Sequence, residues 1–554
     1  MPRFLPPLCA ALLAPSFIVK IRGYDVWWHM ATGRWILEHG RLPDVDPFTY
    51  TMAGKPWHLV NGIADVVLYL AWQLGGEAAI VLLKVVFAWL TLTLLGFAMR
   101  ALGVSRVVMV SLLVLAALLV HGRFTEERPL IMGASLVCAG TFAVIRWDDS
   151  DRPLWFFLLA LPLWPLVHGN ALIGLAQLLL VGGIATVMRA PKKRLVRVWA
   201  VIAACLLASV LLPWWRDLYA VSTSLKPSAT AMQLTAEWRT GIEALPDRVG
   251  HWMVIAGGIA GGISRRRKPL LLLLAIVGAA LALQYGRNAY EAVLLAMPGL
   301  ACALTDLGER FAAGGRLLFA RASAPVVAFA VGAIQLALAP IATIGGPLGF
   351  GVVRGMFPYD TLETLRQLPV HRLINGFAIG GFLIWEAGPW GVYCDGRTVA
   401  LYSEEDVKRL FLPLVESAES LTRVADEWNA VYGLTENRSP PQQWMMVSPE
   451  WVPLHLGLGT SLFVRKDKLA ELPPEVRPLH LVRFTVVTEW VDGWYAGILR
   501  DPALWTQLRA ELTAAARLGP ESPLLVEIVN AVMRLDADKG AELAAIIDAA
   551  RGGR

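Results

Sequence analysis

The feature that most constrains this chain is a succession of apolar stretches, each near membrane-spanning length, that continues to residue 344 and then stops. A helix needs roughly 20 apolar residues to cross the hydrocarbon core, because within lipid every backbone N–H and C=O must be satisfied inside the segment. Spans are expected near 4–21, 77–99, 104–121, 129–145, 153–168, 170–188, 195–213, 250–264, 269–284, 289–305 and 323–343, about eleven by this measure. Composition agrees: 56% of the residues are hydrophobic and 17% charged, against about 25% charged in soluble domains. An ordinary cytosolic, disordered or collagen-like chain is excluded. The first stretch is read as a retained helix, since no small-residue cleavage site stands out. The expected fold class is an all-α polytopic membrane bundle over 1–344, with a long first outer loop at 22–76, followed by a soluble α/β domain over 345–554.

The net charge of +6 needs no nucleic acid to explain it. The basic residues fall between apolar stretches: Arg100/Arg106, Arg146/Arg152, Arg189/Lys192/Lys193/Arg194/Arg197, Arg265/Arg266/Arg267/Lys268 and Arg310/Arg316/Arg321. Lys and Arg accumulate in cytoplasmic loops. Eleven crossings with Arg3 inside put all five groups on that side, and the domain at 345–554 outside the cytoplasm. The five cysteines form no CxxC pair, so neither a disulfide framework nor a zinc site is indicated.

The same topology gives the outer face Asp25 and His29; Arg123, Glu126, Glu127 and Arg128; His168 and Asn170; Glu237 and Arg239; and Arg287 and Asn288. Ionisable groups at membrane-helix ends are functional candidates by default. Residues 26–38 are amphipathic, with Trp27, Trp28, Trp35, Ile36 and Leu37 expected in the interface and His29, Arg34 and Glu38 in water. Residues 61–74 are expected as a second interfacial helix, ending at Gly75-Gly76. Asp44 and Asp46 beside Pro43 and Pro47 read as turn residues. Glu126 and Glu127 are sequence neighbours whose side chains diverge, so one is expected to pair with Arg123 or Arg128. Lys84, about two turns inside the second span, either snorkels outward or meets an anion. Walker, HExxH and GxSxG motifs are absent.

The run DVWWHMATGRWILEHGRLPDVDPFTYTMAGKPW, with RPLIMG, LVHGNALIGL and GRNAYEAVLLAMP further on, resembles bacterial polytopic proteins of the GT-C glycosyltransferase-like superfamily. These are related to the lipid-linked-sugar mannosyl- and aminoarabinosyltransferases. INGFAIGGFLIW and VYCDGRTVALY extend the resemblance past residue 400. One departure is Asn61, where relatives often carry an acid; Asp65 stands one turn on.

The resemblance implies an integral membrane glycosyltransferase, inverting, that moves a sugar from a polyprenyl-phosphate donor to a glycan, lipid or protein acceptor at the outer face of the inner membrane. It makes Asp25 the first catalytic candidate, expected as the base for the acceptor hydroxyl and assisted or oriented by His29, the second. A phosphate leaving group needs no strong acid; the site must deprotonate a hydroxyl and hold charge gathering on phosphate. Arg128 and Arg287 suit phosphate through their forked donors, and Lys84 adds a point charge. His168, Asn170 and Glu127 complete the expected substrate-binding set. No residue pattern compels a divalent metal, although the chemistry leaves room for one. Two other readings use the same polar rim: a transporter of lipid-linked saccharide, and a non-catalytic envelope protein with the same fold.

In 345–554, helices are expected near 361–368, 403–416, 501–516, 524–535 and 539–551, the second opened by a Ser403/Asp406 capping box. Strands are expected at 382–385, 391–394, 444–447, 461–464 and 480–487. Asp395 and Arg397 either bind a sugar or close a turn, and the structural reading is favoured.

Overall fold

The computed structural model describes residues 4–147, 150–224, 239–264, 269–312, 346–397 and 400–552. The chain divides into two compact units, Met1–Asp44 with His58–Val352, and Val45–Trp57 with Val353–Arg554.

The first unit is helical. Its helices are α1 Leu5–Leu13, α2 Asp25–His39, α3 Gly62–Ala101, α4 Arg106–Phe124, α5 Leu130–Arg146, α6 Trp155–Ala160, α7 Ala171–Val187, α8 Lys192–Leu211, α9 Pro213–Ser224, α10 Val249–Ser264, α11 Pro269–Gln284 and α12 Ala289–Ala312. Among the described residues, Gly62–Ala101, Arg106–Phe124, Lys192–Leu211 and Gly286–Gly308 are long and apolar enough to cross a membrane. Leu5–Phe17, Leu130–Arg146, Ala171–Val187 and Pro269–Gln284 are shorter apolar helices. Large apolar side chains such as Val187, Val210 and Met253 stand more than half exposed, as lipid-facing positions would. The chain is a multi-pass membrane protein.

Several expected spans take a different form. The stretch at 153–168 is not one helix: α6 stops at Ala160, and 3₁₀ turns follow where Pro162 and Pro165 lack the N–H that a helix requires. The first helix yields to a 3₁₀ turn at Ala14–Phe17, and Val19 and Ile21 then bridge to Leu348 and Val352. The amphipathic α9 was not expected. The span at 323–343, the basic group at 265–268, Arg316, Arg321 and Glu237 lie outside the described residues.

Helix α3 is one continuous run only by hydrogen bonding. It breaks at Gly75 and Gly76, where Gly76 takes φ 55°, separating an N-terminal segment from the apolar span. Helix α2 packs along α3. The approach is close because Gly33 has no side chain: a Cβ there would lie 2.2 Å from the Asp65 carbonyl oxygen.

The second unit holds a mixed four-stranded sheet, order β1-β2-β4-β3, from Arg372–Asn375, Ala430–Glu436, Trp451–Leu456 and Thr460–Arg465. Strand β1 runs parallel to β2; β4 is antiparallel to both β2 and β3. Helices Ala418–Glu427 and Pro440–Val447 pack on β2, Pro502–Leu518 on β3 and Tyr359–Leu365 on β4. The strands are thus buried as near-continuous apolar runs.

The helices Thr488–Leu499, Pro502–Leu518, Pro523–Leu535 and Ala537–Gly552 close the chain. Of the expected strands, 461–464 is β4. Residues 382–385 and 444–447 are helical instead, within Gly380–Glu386 and Pro440–Val447. Residues 391–394 are held by the Asn375 side chain, which accepts from the Tyr393 N–H at 2.8 Å and donates to the Cys394 carbonyl at 2.7 Å. Residues 480–487 wrap Arg483, whose guanidinium donates to the carbonyls of His480, Met446, Ser448 and Trp451.

Candidate functional site

The site begins at the N-terminus of α2. Asp25, the first helical residue, is one-fifth exposed. Its Oδ2 lies 3.0 Å from Arg128 Nε, and its Oδ1 accepts from Trp28 Nε1 at 3.3 Å. Arg128 also pairs with Glu126 at 3.3 Å, and Glu126 accepts from Arg123 at 2.9 Å. Carboxylates and guanidiniums therefore alternate along the segment that leads from α4 into α5.

One turn along α2, His29 does not face water as expected. It is 3% exposed, and its Nδ1 is 2.6 Å from Asp65 Oδ1 on the first turn of α3. Burial pushes the Asp65 carboxyl up and the His29 imidazole down, and their mutual attraction offsets part of each. The charges of Arg128 and His168 also act on His29. Asn61 stands at the N-cap of α3, and its Oδ1 is buried without a hydrogen-bond partner among the described residues. It is Asp65 that meets the histidine.

His168 and Asn170 lie in the loop at 167–170 that enters α7. His168 Nδ1 accepts from the Asn170 N–H at 3.1 Å, and Asn170 Oδ1 accepts from Trp164 Nε1 at 3.0 Å. Gly133 of α5 lets this loop close in: a Cβ there would meet Asn170 Oδ1 at 2.6 Å and His168 Cβ at 2.7 Å. Burial first, and then the charge of Arg287, push the His168 imidazole down to about 3. Arg123 also acts on it. Arg123 and Arg287 act in turn on Glu291, on the first turn of α12, whose Oε2 is buried without a hydrogen-bond partner among the described residues. Residues 25–29, 65, 123–128, 168, 287 and 291 thus form one electrostatic neighbourhood.

Two expected ligand-binding residues have other work. Lys84 is 2% exposed and its ammonium spends its three donors on Glu127, the Val19 carbonyl (2.9 Å) and the Thr125 carbonyl (3.0 Å). Glu127 is fully buried, and its Oε2 accepts from the backbone N–H of Gly23 at 2.9 Å and Arg22 at 3.3 Å. The pair pins the chain entering α2 to the chain entering α5, and no donor of Lys84 is left for phosphate. Asp65, Arg123 and Glu291 were absent from the expected substrate-binding set, although each had a sequence signal: Asp65 one turn after Asn61, Arg123 among the outer-face groups, and Glu291 within GRNAYEAVLLAMP.

Among the described residues, no three His, Cys, Asp or Glu side chains group as metal ligands. In the second unit, Arg397 is buried between Asp395 and Asp46. Its Nη2 and Nε bond Asp395 at 2.7 and 2.8 Å, and its Nη1 bonds Asp46 at 2.6 Å. The guanidinium lies over the Trp57 ring at 4.6 Å, and the two carboxylates raise its pKa further against burial. Asp46 also caps its own turn, accepting from the Phe48 and Thr49 N–H groups. This cluster is a structural anchor.

No protein-family model matches the sequence, and no curated protein matches it. Solved structures do. The apo oligosaccharyltransferase of Archaeoglobus fulgidus is similar with a TM-score of 0.57 at 12% identity, covering 86% of this chain and 76% of that one. ArnT from Cupriavidus metallidurans bound to undecaprenyl phosphate is similar with a TM-score of 0.52 at 13% identity, covering 84% of this chain and 98% of that one. At such identities the likeness speaks to the fold, and the fold agrees with the motifs of the first loop. The chain shares its fold with these two solved membrane proteins.

Proposed function

We propose that the protein is a membrane glycosyltransferase that moves a sugar from a polyprenyl-phosphate carrier to a hydroxyl acceptor at the outer face of the cytoplasmic membrane. The second unit then stands outside the cytoplasm. The observation that carries this reading is the gathering of Asp25, His29, Arg123, Arg128, His168, Arg287 and Glu291 from separate parts of the chain. Support for the lipid carrier comes from the similar fold of ArnT, whose solved structure holds undecaprenyl phosphate.

Transfer breaks the bond between the anomeric carbon and phosphate as the acceptor oxygen attacks from the opposite side. Charge collects on the departing phosphate, where guanidinium donors stabilise it. Arg128 and Arg287 fill that role. Asp25 and Glu126 hold Arg128 in one orientation, which limits the reorganisation needed during reaction. Asn170 fixes His168 at the edge of the same neighbourhood.

The test uses the full chain in nanodiscs with a panel of undecaprenyl-phosphate monosaccharides and envelope-lipid acceptors, followed by mass spectrometry. The wild type should release undecaprenyl phosphate and form a glycosylated product. Arg128→Ala and Arg287→Ala should each slow release by about a hundredfold or more. Lysine at either position should not restore it, because an ammonium lacks the fork. In proteoliposomes, donor that crosses the bilayer unconsumed would favour the transporter; no consumption of any donor would defeat the enzyme reading.

A further inference from the structure

Two acid–base couples stand side by side in the site, and their atoms are engaged differently. Asp25 has one oxygen against Arg128 Nε and the other accepting from Trp28. His29 has only Nδ1 engaged, by Asp65, and its Nε2 makes no hydrogen bond to a described residue. The other Asp65 oxygen, Oδ2, is buried without a partner among the described residues. That carboxylate therefore serves the imidazole alone.

A carboxylate that accepts the Nδ1 proton of an imidazole fixes the tautomer and leaves a lone pair on Nε2. The groups facing the ring are Asp65 on α3, Arg128 ahead of α5 and His168 in the loop before α7. Burial and the Arg128 charge both oppose a standing positive charge on the ring, and the attraction of Asp65 offsets part of that.

We propose that His29 Nε2 takes the proton of the incoming hydroxyl, that Asp65 is its positioning residue, and that Asp25 serves to hold Arg128. The step balances. The acceptor O–H proton passes to Nε2 as the new C–O bond forms, and the electron pair of the breaking C–O bond leaves with phosphate. The imidazolium formed is stabilised by Asp65 and returns its proton to solvent. The proposal rests on the glycosyl-transfer reading for its substrate, but the proton arrangement can be tested without one.

The experiment combines nitrogen-15 NMR of histidine-labelled full-length protein with kinetics in the same nanodiscs. The His29 signals are assigned by their loss in His29→Gln. Wild type at neutral pH should show protonated Nδ1 and unprotonated Nε2. Asp65→Asn keeps the shape but offers an N–H to Nδ1, so it should move the proton to Nε2. In the transfer assay the same variant should lower kcat by about a hundredfold or more with KM little changed. A protonated Nε2 in the wild type, or a tautomer unmoved in Asp65→Asn, overturns the proposal whether or not sugar is transferred. A wild type with the expected tautomer but no transfer to any acceptor upholds the couple and defeats only the enzyme reading.

Discussion

At the scale of single residues, sequence identified which groups were present but not which would be spent on one another. Glu126 and Glu127 illustrate this. Their divergence follows from adjacency alone, and the structure sends Glu126 to Arg123 and Arg128, and Glu127 inward to Lys84. Which of the two went inward could not be read, because the choice depends on Val19, Gly23 and Thr125 supplying the remaining partners. A buried ion pair loses far more when one partner is removed than the pair is worth whole. Lys84→Ala should therefore destabilise the detergent-solubilised protein by about 3–5 kcal/mol. The double variant Lys84→Met/Glu127→Gln should be milder than the single losses summed. Thermal melts of the wild type, Lys84→Met, Glu127→Gln and the double variant check this; additive effects would show that the pair is not coupled. His29 carries the same lesson, since amphipathicity placed it in water while Asp65, 36 residues away, holds it inside.

At the scale of elements, local signals were legible wherever the cause was local. The break in α3 at Gly75-Gly76 and the Ser403/Asp406 capping box both appear as expected. Strands fared worse. Strand β3 carries Pro453 and sits at the sheet edge, and β2 carries Gly433, so neither shows the alternation that marks a strand in sequence. The runs at 382–385 and 444–447 looked like buried strands because short apolar runs do not distinguish strand from buried helix.

The capping box also yields a pH dependence. Burial alone would raise the Asp406 carboxyl, but hydrogen bonds from Lys55 and Ser403 outweigh it and hold it below the ordinary carboxylate value. A carboxyl lowered by folding lends stability above its unfolded pKa of about 4 and loses it as pH falls through the folded value. Melts of the wild type should thus drop as pH falls below about 4 relative to Asp406→Asn, which lacks that titration. Parallel curves over that window would contradict the assignment.

At the scale of the whole molecule, the second unit is assembled from two distant pieces, Val45–Trp57 and Val353–Arg554. The shorter piece brings Asp46 to Arg397, Trp57 beneath the same guanidinium, and Thr51 to the Tyr393 carbonyl. Residues 353–554 expressed alone would keep Arg397 with only one of its two carboxylates. They should melt at lower temperature than the same segment supplied with residues 45–57 as a fused peptide, and Asp46→Ala in that fusion should cancel the gain. Circular dichroism melts decide it; equal melting with and without the peptide would show that the short piece contributes nothing.

By itself, the sequence determined that the chain is a polytopic membrane protein, because successive apolar stretches of spanning length can satisfy their own backbone groups in lipid as helices. It also determined that polar groups end several of those helices. The breaks at glycine and the capping box were fixed as well, since each depends on neighbours within a few positions. Only the tertiary structure decided which charges meet. It gave Asp65 to His29, Lys84 to Glu127 and Asp46 to Arg397, pairings set by packing between segments tens to hundreds of residues apart. Residue type can state what a side chain is able to bond, but three-dimensional proximity chooses the partner.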